Sequence, residues 1–570
     1  MAITSSSEIT PSIRHNIRPP PRSFPLGKAN IYQPSDELHA ISTSLPTWDM
    51  VSAMARKEDW IMETVEWAYP RFNINTQVKK LSDTVLLRLR VTDEMTRCMV
   101  FSSAKAAQQC ATTLKAASMR HSVVEVVEFV MSPASDLGDG TAYWAQFSAT
   151  LFPDELWSEA MAFWRDTGTG ISTRQAPFCL EELCYLESKS SNPAYQTSSP
   201  CKRENQPSSQ LHTSVRSTLA SETAVKSYIA QLVTSEQPGQ PPVQPGDVFL
   251  YPNGTNAIYL LSQMLASSKA EPTVVAYGWL YPETVKALHR CAWTAYISYK
   301  YGTEEELDQL ESMLASGRRI DALFCELPSN IKLSSPNIFR IQALAERYGF
   351  IIVCDDTVAG YVNIDVLPYV DVIVSSLTKT FSGASNVTGG GLVVNPGSRH
   401  YSRIHATLCA EYESTFFPMD VDVLRNNSKD LVWRMKRCSD SALYLVDLFQ
   451  SHPSIAQVNH PSTSPTRSLY RRLMREGGSY GNVLSVVFRE PRNAEHFYNT
   501  LNVCKGTSFG ANFTLALPYV QLANYLTRDK VGKYGVPQHI IRLSVGLEDK
   551  EQLLQVVAAA LAEVERLEES

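Results

Sequence analysis

From residue 248 onward, apolar runs alternate with segments of helical spacing. The runs at 273–277, 293–298, 320–325, 350–354, 371–375 and 391–394 are separated by helix-periodic stretches such as 255–267, 303–315 and 337–348. This alternation predicts an α/β fold with a mostly parallel sheet and crossover helices. Runs such as the start of "DVIVSSLTKTFSG" (371–383) are continuously apolar, the mark of a strand covered on both faces. After residue 400 the texture changes. A long helical stretch from about 420 to 450, strands at 483–488 and 540–545, and the amphipathic "KEQLLQVVAAALAEVERLEE" predict a smaller α+β C-terminal domain.

Ahead of the main sheet, residues 85–185 mix the expected strands "TVLLRLRV" and "SVVEVVEFVM" with the expected helices "AKAAQQCATTLKAAS" and "PDELWSEAMAFWRD". They read as a compact inserted α+β subdomain. Two Pro/Ser-rich stretches, 186–214 and 236–246, punctuate the chain, and the first reads as a flexible linker or long loop. The expected organisation is a disordered tail (1–45), an N-terminal arm (46–84), the insert (85–185), the linker (186–214), a large domain (215–400) and a small domain (401–570).

Composition narrows the function classes. The chain has 570 residues and is 44% apolar, enough for sizeable cores. Its 52 basic and 58 acidic side chains leave −6, which argues against nucleic acid or an anionic membrane as main partner. No apolar run approaches the roughly 18 to 20 residues needed to span a bilayer. The eleven cysteines are scattered, without CxxC or metal-ligand spacing, so reduced thiols, no metal site and a cytoplasmic location are expected. The first 30 residues lack the hydrophobic segment of a secretory signal. Their Arg14, Arg18 and Arg22 also fit a mitochondrial transit peptide, although a disordered tail is the expectation.

Candidate chemistry gathers at strand ends, where α/β folds bind ligands. The run at 371–375 emerges at Lys379. The preceding strand, "GFIIVCDDT", ends on Asp355 and Asp356, so neighbouring strands deliver an amine and a carboxylate at one edge. "DALFCELPSN" ends on Glu326, Ser329 and Asn330. Asn253-Gly254-Thr255 opens a helix, an entry whose free backbone N–H groups and positive dipole end suit a phosphate.

The order of these features, with the aromatic "AYGWLYPET" between them and "SSLTK" at their end, resembles the Cys/Met-metabolism family of pyridoxal-phosphate enzymes, in particular its long fungal cystathionine γ-synthase-like branch. The likeness covers 248–400 and returns in "GTSFGANF" (506–513) and "IIRLSVGLED" (540–549); "SLPTWDM" and "YPRF" resemble the fungal branch. It implies the PLP-dependent transferase fold with pyridoxal 5′-phosphate as cofactor. Lys379 would carry the cofactor covalently and move protons, and Asp355 would face the ring nitrogen. Ser376, Thr378, Gly254 and Thr255 would hold the phosphate, and Asn330 the ring oxygen. Tyr277 would stack on the ring, with Tyr281 as a second candidate for that role. Arg542, supported by Ser508, would bind the substrate α-carboxylate. A Tyr and an Arg from a neighbouring subunit complete the phosphate site in this family; Tyr69 and Arg71 fit the spacing, and Arg174 is the alternative. Trp279 and Ile331 depart from the family pattern, and Trp279 would narrow the substrate side.

The activity implied is γ-replacement on an O-acyl-L-homoserine. Cysteine as nucleophile would give cystathionine, and a carbon or sulfide nucleophile would use the same machinery. A lyase of the same family and a non-catalytic regulatory homologue are the alternatives. Partners would be small amino-acid substrates and further copies of the chain, as a homodimer or homotetramer.

Overall fold

The structure, a computed structural model, describes residues 19–65, 73–118, 123–131, 138–199, 201 and 209–570. The first sheet is antiparallel, in the order β1-β3-β2-β4, from β1 (Thr96–Phe101), β2 (Glu125–Met131), β3 (Phe147–Pro153) and β4 (Leu186–Ser190). Helices α1 (Thr76–Arg88) and α2 (Trp157–Thr167) belong to this N-terminal subdomain.

Three expectations change here. "TVLLRLRV" is not a strand, because its first five residues finish α1. Leu81, Val85 and Leu89 are buried at intervals of one helical turn, Leu87 is exposed, and Asn75 caps the start through Gln77 N. The stretch 186–214 is not a linker throughout: β4 pairs with β2 over five residues, and a helix runs from Gln210 to Thr218. Residues 19–45 of the expected disordered tail pack against the rest of the chain; its first 18 residues lie outside the described ones. Ala29 bridges Thr43, Ser44 bridges Gly506, and Asn30 Nδ2 donates to the Lys505 carbonyl at 3.0 Å. One internal bridge and two contacts with the small domain hold a segment whose composition alone reads as solvated.

The large sheet has the order β5-β11-β10-β9-β8-β6-β7. Its strands are β5 (Val248–Tyr251), β6 (Thr273–Tyr277), β7 (Ala295–Tyr299), β8 (Ala322–Glu326), β9 (Ile351–Asp355), β10 (Val372–Ser376) and β11 (Gly390–Val394), and the helices α3 (Gly254–Ser267) and α4 (Pro282–Arg290) follow β5 and β6. All neighbours are parallel except the two pairs made by β11. The continuous apolar runs now have their cause. Leu323, Cys325, Ile352, Cys354 and Ile373 enter the core on one face, and Phe324, Ile351, Val353, Val372 and Val374 enter the core on the other.

The C-terminal sheet, in the order β12-β13-β16-β15-β14, is antiparallel except for its last pair. It comprises β12 (Ile455–Asn459), β13 (Val483–Phe488), β14 (Cys504–Lys505), β15 (Leu515–Pro518) and β16 (Ile541–Ser544). Helices Leu431–Ser451 and Lys550–Glu569 pack their apolar faces on it.

Candidate active site

The carboxyl ends of β8, β9 and β10 open into one cavity, closed from the other side by the small domain. It holds about 840 Å³ of space, open solvent at its mouth included. Lys379 and Ser376 come from the end of β10, Asp355 and Thr357 from the end of β9, and Glu326 and Asn330 from the end of β8. Gly254 and Thr255 open α3 on the same wall, and Tyr281 precedes α4. The small domain contributes Ser508, Phe509 and Arg542.

Lys379 is 8% exposed, and its Nζ donates to Ser508 Oγ at 2.8 Å. Ser508 has φ 75°, a left-handed conformation that costs a residue with a β-carbon about 1–2 kcal/mol. In that conformation it serves both cations, because its carbonyl accepts from Arg542 Nη2 at 2.6 Å. Arg542 Nη1 donates to Asn330 Oδ1 at 3.1 Å, which fixes the guanidinium between two wall residues. The Phe509 ring centre lies 5.0 Å from both Lys379 Nζ and Arg542 Cζ, a cation–π contact with each.

Opposite charge stands at the strand ends. Glu326 and Asp355 are register partners across β8 and β9. Burial raises both carboxyls, and Asp355 pushes Glu326 further, well above the usual range. Two adjacent buried carboxyls resist double ionisation, and the push of Asp355 on Glu326 favours the proton on Glu326 and the charge on Asp355. Thr357 supports that charge, since its backbone N–H and its hydroxyl both donate to Asp355 Oδ1. Asp356 does not join them at the wall; it accepts from Tyr361 N inside the fold, and burial pushes it up to about 8.

Glu326 stands at its expected strand end, with no role assigned to it from the sequence, and Thr357 is the residue sequence reasoning missed. Glu326 Oε1 accepts from Tyr281 N, and Oε2 accepts from Asn330 N at 3.2 Å. One side chain thus fastens the backbone at two other wall positions. Thr357 Oγ1 accepts from Ser376 N at 2.8 Å, tying β9 to β10. A strand-end acid was visible in the sequence for Glu326; the only signal for Thr357 was its place after two aspartates, where an Asx-turn forms.

Four expected placements are corrected. Tyr277 is 1% exposed and turned into the core beside Val275, its hydroxyl on the Thr303 carbonyl at 2.8 Å. Strand alternation forces this, since residues 275 and 277 share a face, and Tyr281 is the tyrosine that reaches the cavity. Thr378 is also turned away, exchanging hydrogen bonds with Gly389 through its hydroxyl. Trp279 does not narrow the cavity directly; it packs with Ile331 in a cluster that backs Tyr519, which is a wall residue. Arg174 is buried in its own chain, donating to Asp420 Oδ1 at 2.9 Å and to the Asn386 carbonyl at 3.0 Å. Tyr69 and Arg71 lie outside the described residues.

The residues present fit pyridoxal 5′-phosphate. A lysine amine and a charged carboxylate share one cavity, and the start of α3 supplies phosphate chemistry. A β-carbon on Gly254 would lie 2.9 Å from Ser376 Cβ, so only glycine lets the helix start approach the β10 end this closely.

Fold and site together define a pyridoxal-phosphate-dependent enzyme. Residues 187–562 match the family described as Cys/Met metabolism PLP-dependent enzyme, and residues 77–172 match the fungal trans-sulfuration enzyme N-terminal domain; the chain belongs to the Cys/Met metabolism family. It is 42% identical over 533 residues to the cystathionine gamma-synthase-like protein ankD of Aspergillus thermomutatus, covering 94% of each chain. It is 30% identical to a cystathionine gamma-synthase of Neurospora crassa, covering 93% of this chain and 97% of that one. The crystal structure of cystathionine gamma synthase from Xanthomonas oryzae pv. oryzae, in complex with cystathionine, shares the fold, with a TM-score of 0.53 and 20% identity over 64% of this chain and 90% of that one.

Proposed function

We propose that the chain catalyses γ-replacement on an O-acyl-L-homoserine, with cysteine as nucleophile and cystathionine as product. The observation that carries this reading is the meeting of Lys379, Asp355 and Arg542 in one cavity, with Ser508 bonded to both cations. When bound, the cofactor supplies an electron sink for negative charge at the substrate Cα.

The protein's residues do the rest. With the cofactor bound, Asp355 would keep the ring nitrogen protonated, Tyr281 would lie against the ring, and Asn330 would hydrogen-bond the ring oxygen. Gly254 and Thr255 offer N–H groups, and Ser376 a hydroxyl, to the phosphate. Arg542 grips the substrate α-carboxylate, so Cα faces the Lys379 amine. That amine removes the proton from Cα and then from Cβ. The Cγ–O bond breaks, the acyl group leaves as a carboxylate, the thiolate sulfur bonds Cγ, and the protons return to Cβ and Cα. The sites are shared in a homodimer or homotetramer whose neighbouring subunit supplies Tyr69 and Arg71 to the phosphate, and the enzyme works in the cytoplasm. Among the described residues no helix is long and apolar enough to cross a membrane.

The test is incubation of the holoenzyme with O-acetyl- or O-succinyl-homoserine and a panel of nucleophiles, with products identified by mass. Cystathionine from cysteine is the expected result. Cleavage of cystathionine without its synthesis marks a lyase, and exchange of the α-proton without loss of the acyl group marks a different reaction; either overturns the proposal.

Arg542→Lys separates binding from chemistry. An ammonium cannot reproduce the planar two-point grip on a carboxylate, so KM for the amino-acid substrate rises by about ten- to a hundredfold while kcat stays within a few-fold. Steady-state kinetics check this; a fall in kcat with unchanged KM would remove Arg542 from the carboxylate role.

A further inference from the structure

The N-terminal subdomain grips the helix that opens at the cavity. Helix α2 ends at Thr167 with Gly168 as its cap, and the carbonyls there face the start of α3: Gly168 O accepts from Asn253 Nδ2 at 2.7 Å, and Thr167 O accepts from Asn256 Nδ2 at 3.2 Å. Asn253 works at both ends, because its Oδ1 caps α3 through Asn256 N at 3.0 Å. The negative end of one helix dipole meets the positive end of another, with Gly254 and Thr255 on the first turn of α3.

The approach depends on residue 168. Gly168 has φ 66°, and a β-carbon on it would lie 2.3 Å from Asn253 Oδ1 and 2.6 Å from Asn256 N. The same helix also holds α4, which starts directly after Tyr281. Arg290 Nε donates to Asp166 Oδ2, and Arg290 Nη2 to Glu159 Oε1, each at 3.1 Å. One helix of the subdomain is therefore bonded to both helices that begin at the cavity wall.

We propose that the N-terminal subdomain is a brace for the cofactor phosphate, with Gly168 as the positioning residue that sets the first turn of α3 through Asn253 and Asn256. The subdomain thereby fixes in advance the N–H groups that receive the phosphate, and ordering them costs nothing more when the cofactor arrives. This rests on the reading of the α3 start as the phosphate cradle.

The experiment compares two ligands on the full-length apoenzyme: pyridoxal 5′-phosphate and pyridoxal, which lacks the phosphate. Gly168→Ala is expected to raise the Kd for pyridoxal 5′-phosphate about tenfold or more, the worth of one or two hydrogen bonds, while the Kd for pyridoxal changes less than about twofold. Asn256→Ala removes the Thr167 bond alone and is expected to show a smaller loss of the same kind, so it carries the test if the alanine at 168 prevents folding. Equal losses for both ligands, or no loss for either, overturn the brace. If the wild-type protein binds the two ligands equally well, the phosphate-cradle reading has failed instead.

Discussion

On the proposed mechanism, Lys379→Ala is expected to lower turnover of an O-acyl-homoserine by about 10⁴-fold or more, because it would remove the proposed base and the only amine placed to hold the cofactor covalently among the cavity residues described. In the wild type the side chain is fixed by Ser508 Oγ and the Phe509 ring. Lys379→Arg is the sharper control: it keeps the charge beside Phe509 but offers no nucleophilic amine, and it should be nearly as inactive. Borohydride reduction of the wild-type holoenzyme should fix the cofactor mass on the peptide containing residue 379 and leave both variants unlabelled. Labelling of another lysine, or activity in the arginine variant within tenfold of wild type, removes Lys379 from its role.

The large sheet was legible because the signal for it is local. Strands buried on both faces carry unbroken apolar runs, and "IIVCD" and "VIVSS" could be nothing else. The side a given residue takes is a different kind of information. In a run apolar throughout, hydrophobicity does not say which face Tyr277 belongs to, and the tyrosine at the cavity proved to be the one beyond the turn at Gly278. Thr378 failed for a related reason: past the end of β10 the period of two lapses, and the hydroxyl turns back to Gly389. The pairing of Asp355 with Glu326 needed strand order, which joins residues nearly thirty positions apart. The tail needed the same, since Ala29 to Ser44 gain their order from Gly506 and Lys505 at the far end of the sequence.

That acid pair makes the second large effect more than a simple loss. Asp355→Asn keeps the shape and removes the charge, and loss of a preorganised electrostatic partner lowers kcat by about 10²–10³-fold. The variant also removes the negative neighbour that helps keep Glu326 protonated. Glu326 then ionises at lower pH than in the wild type, and its carboxylate, on the same cavity wall, takes over part of the task. The residual activity of Asp355→Asn should therefore rise with pH as Glu326 loses its proton, and the double variant Asp355→Asn/Glu326→Gln should lose that rise. The two substitutions share one proton and sit in contact, so their effects on kcat do not add. Measured kcat–pH profiles of the single and double variants check this: a flat profile in Asp355→Asn, or the same rise in both, shows that the two carboxyls do not exchange the charge.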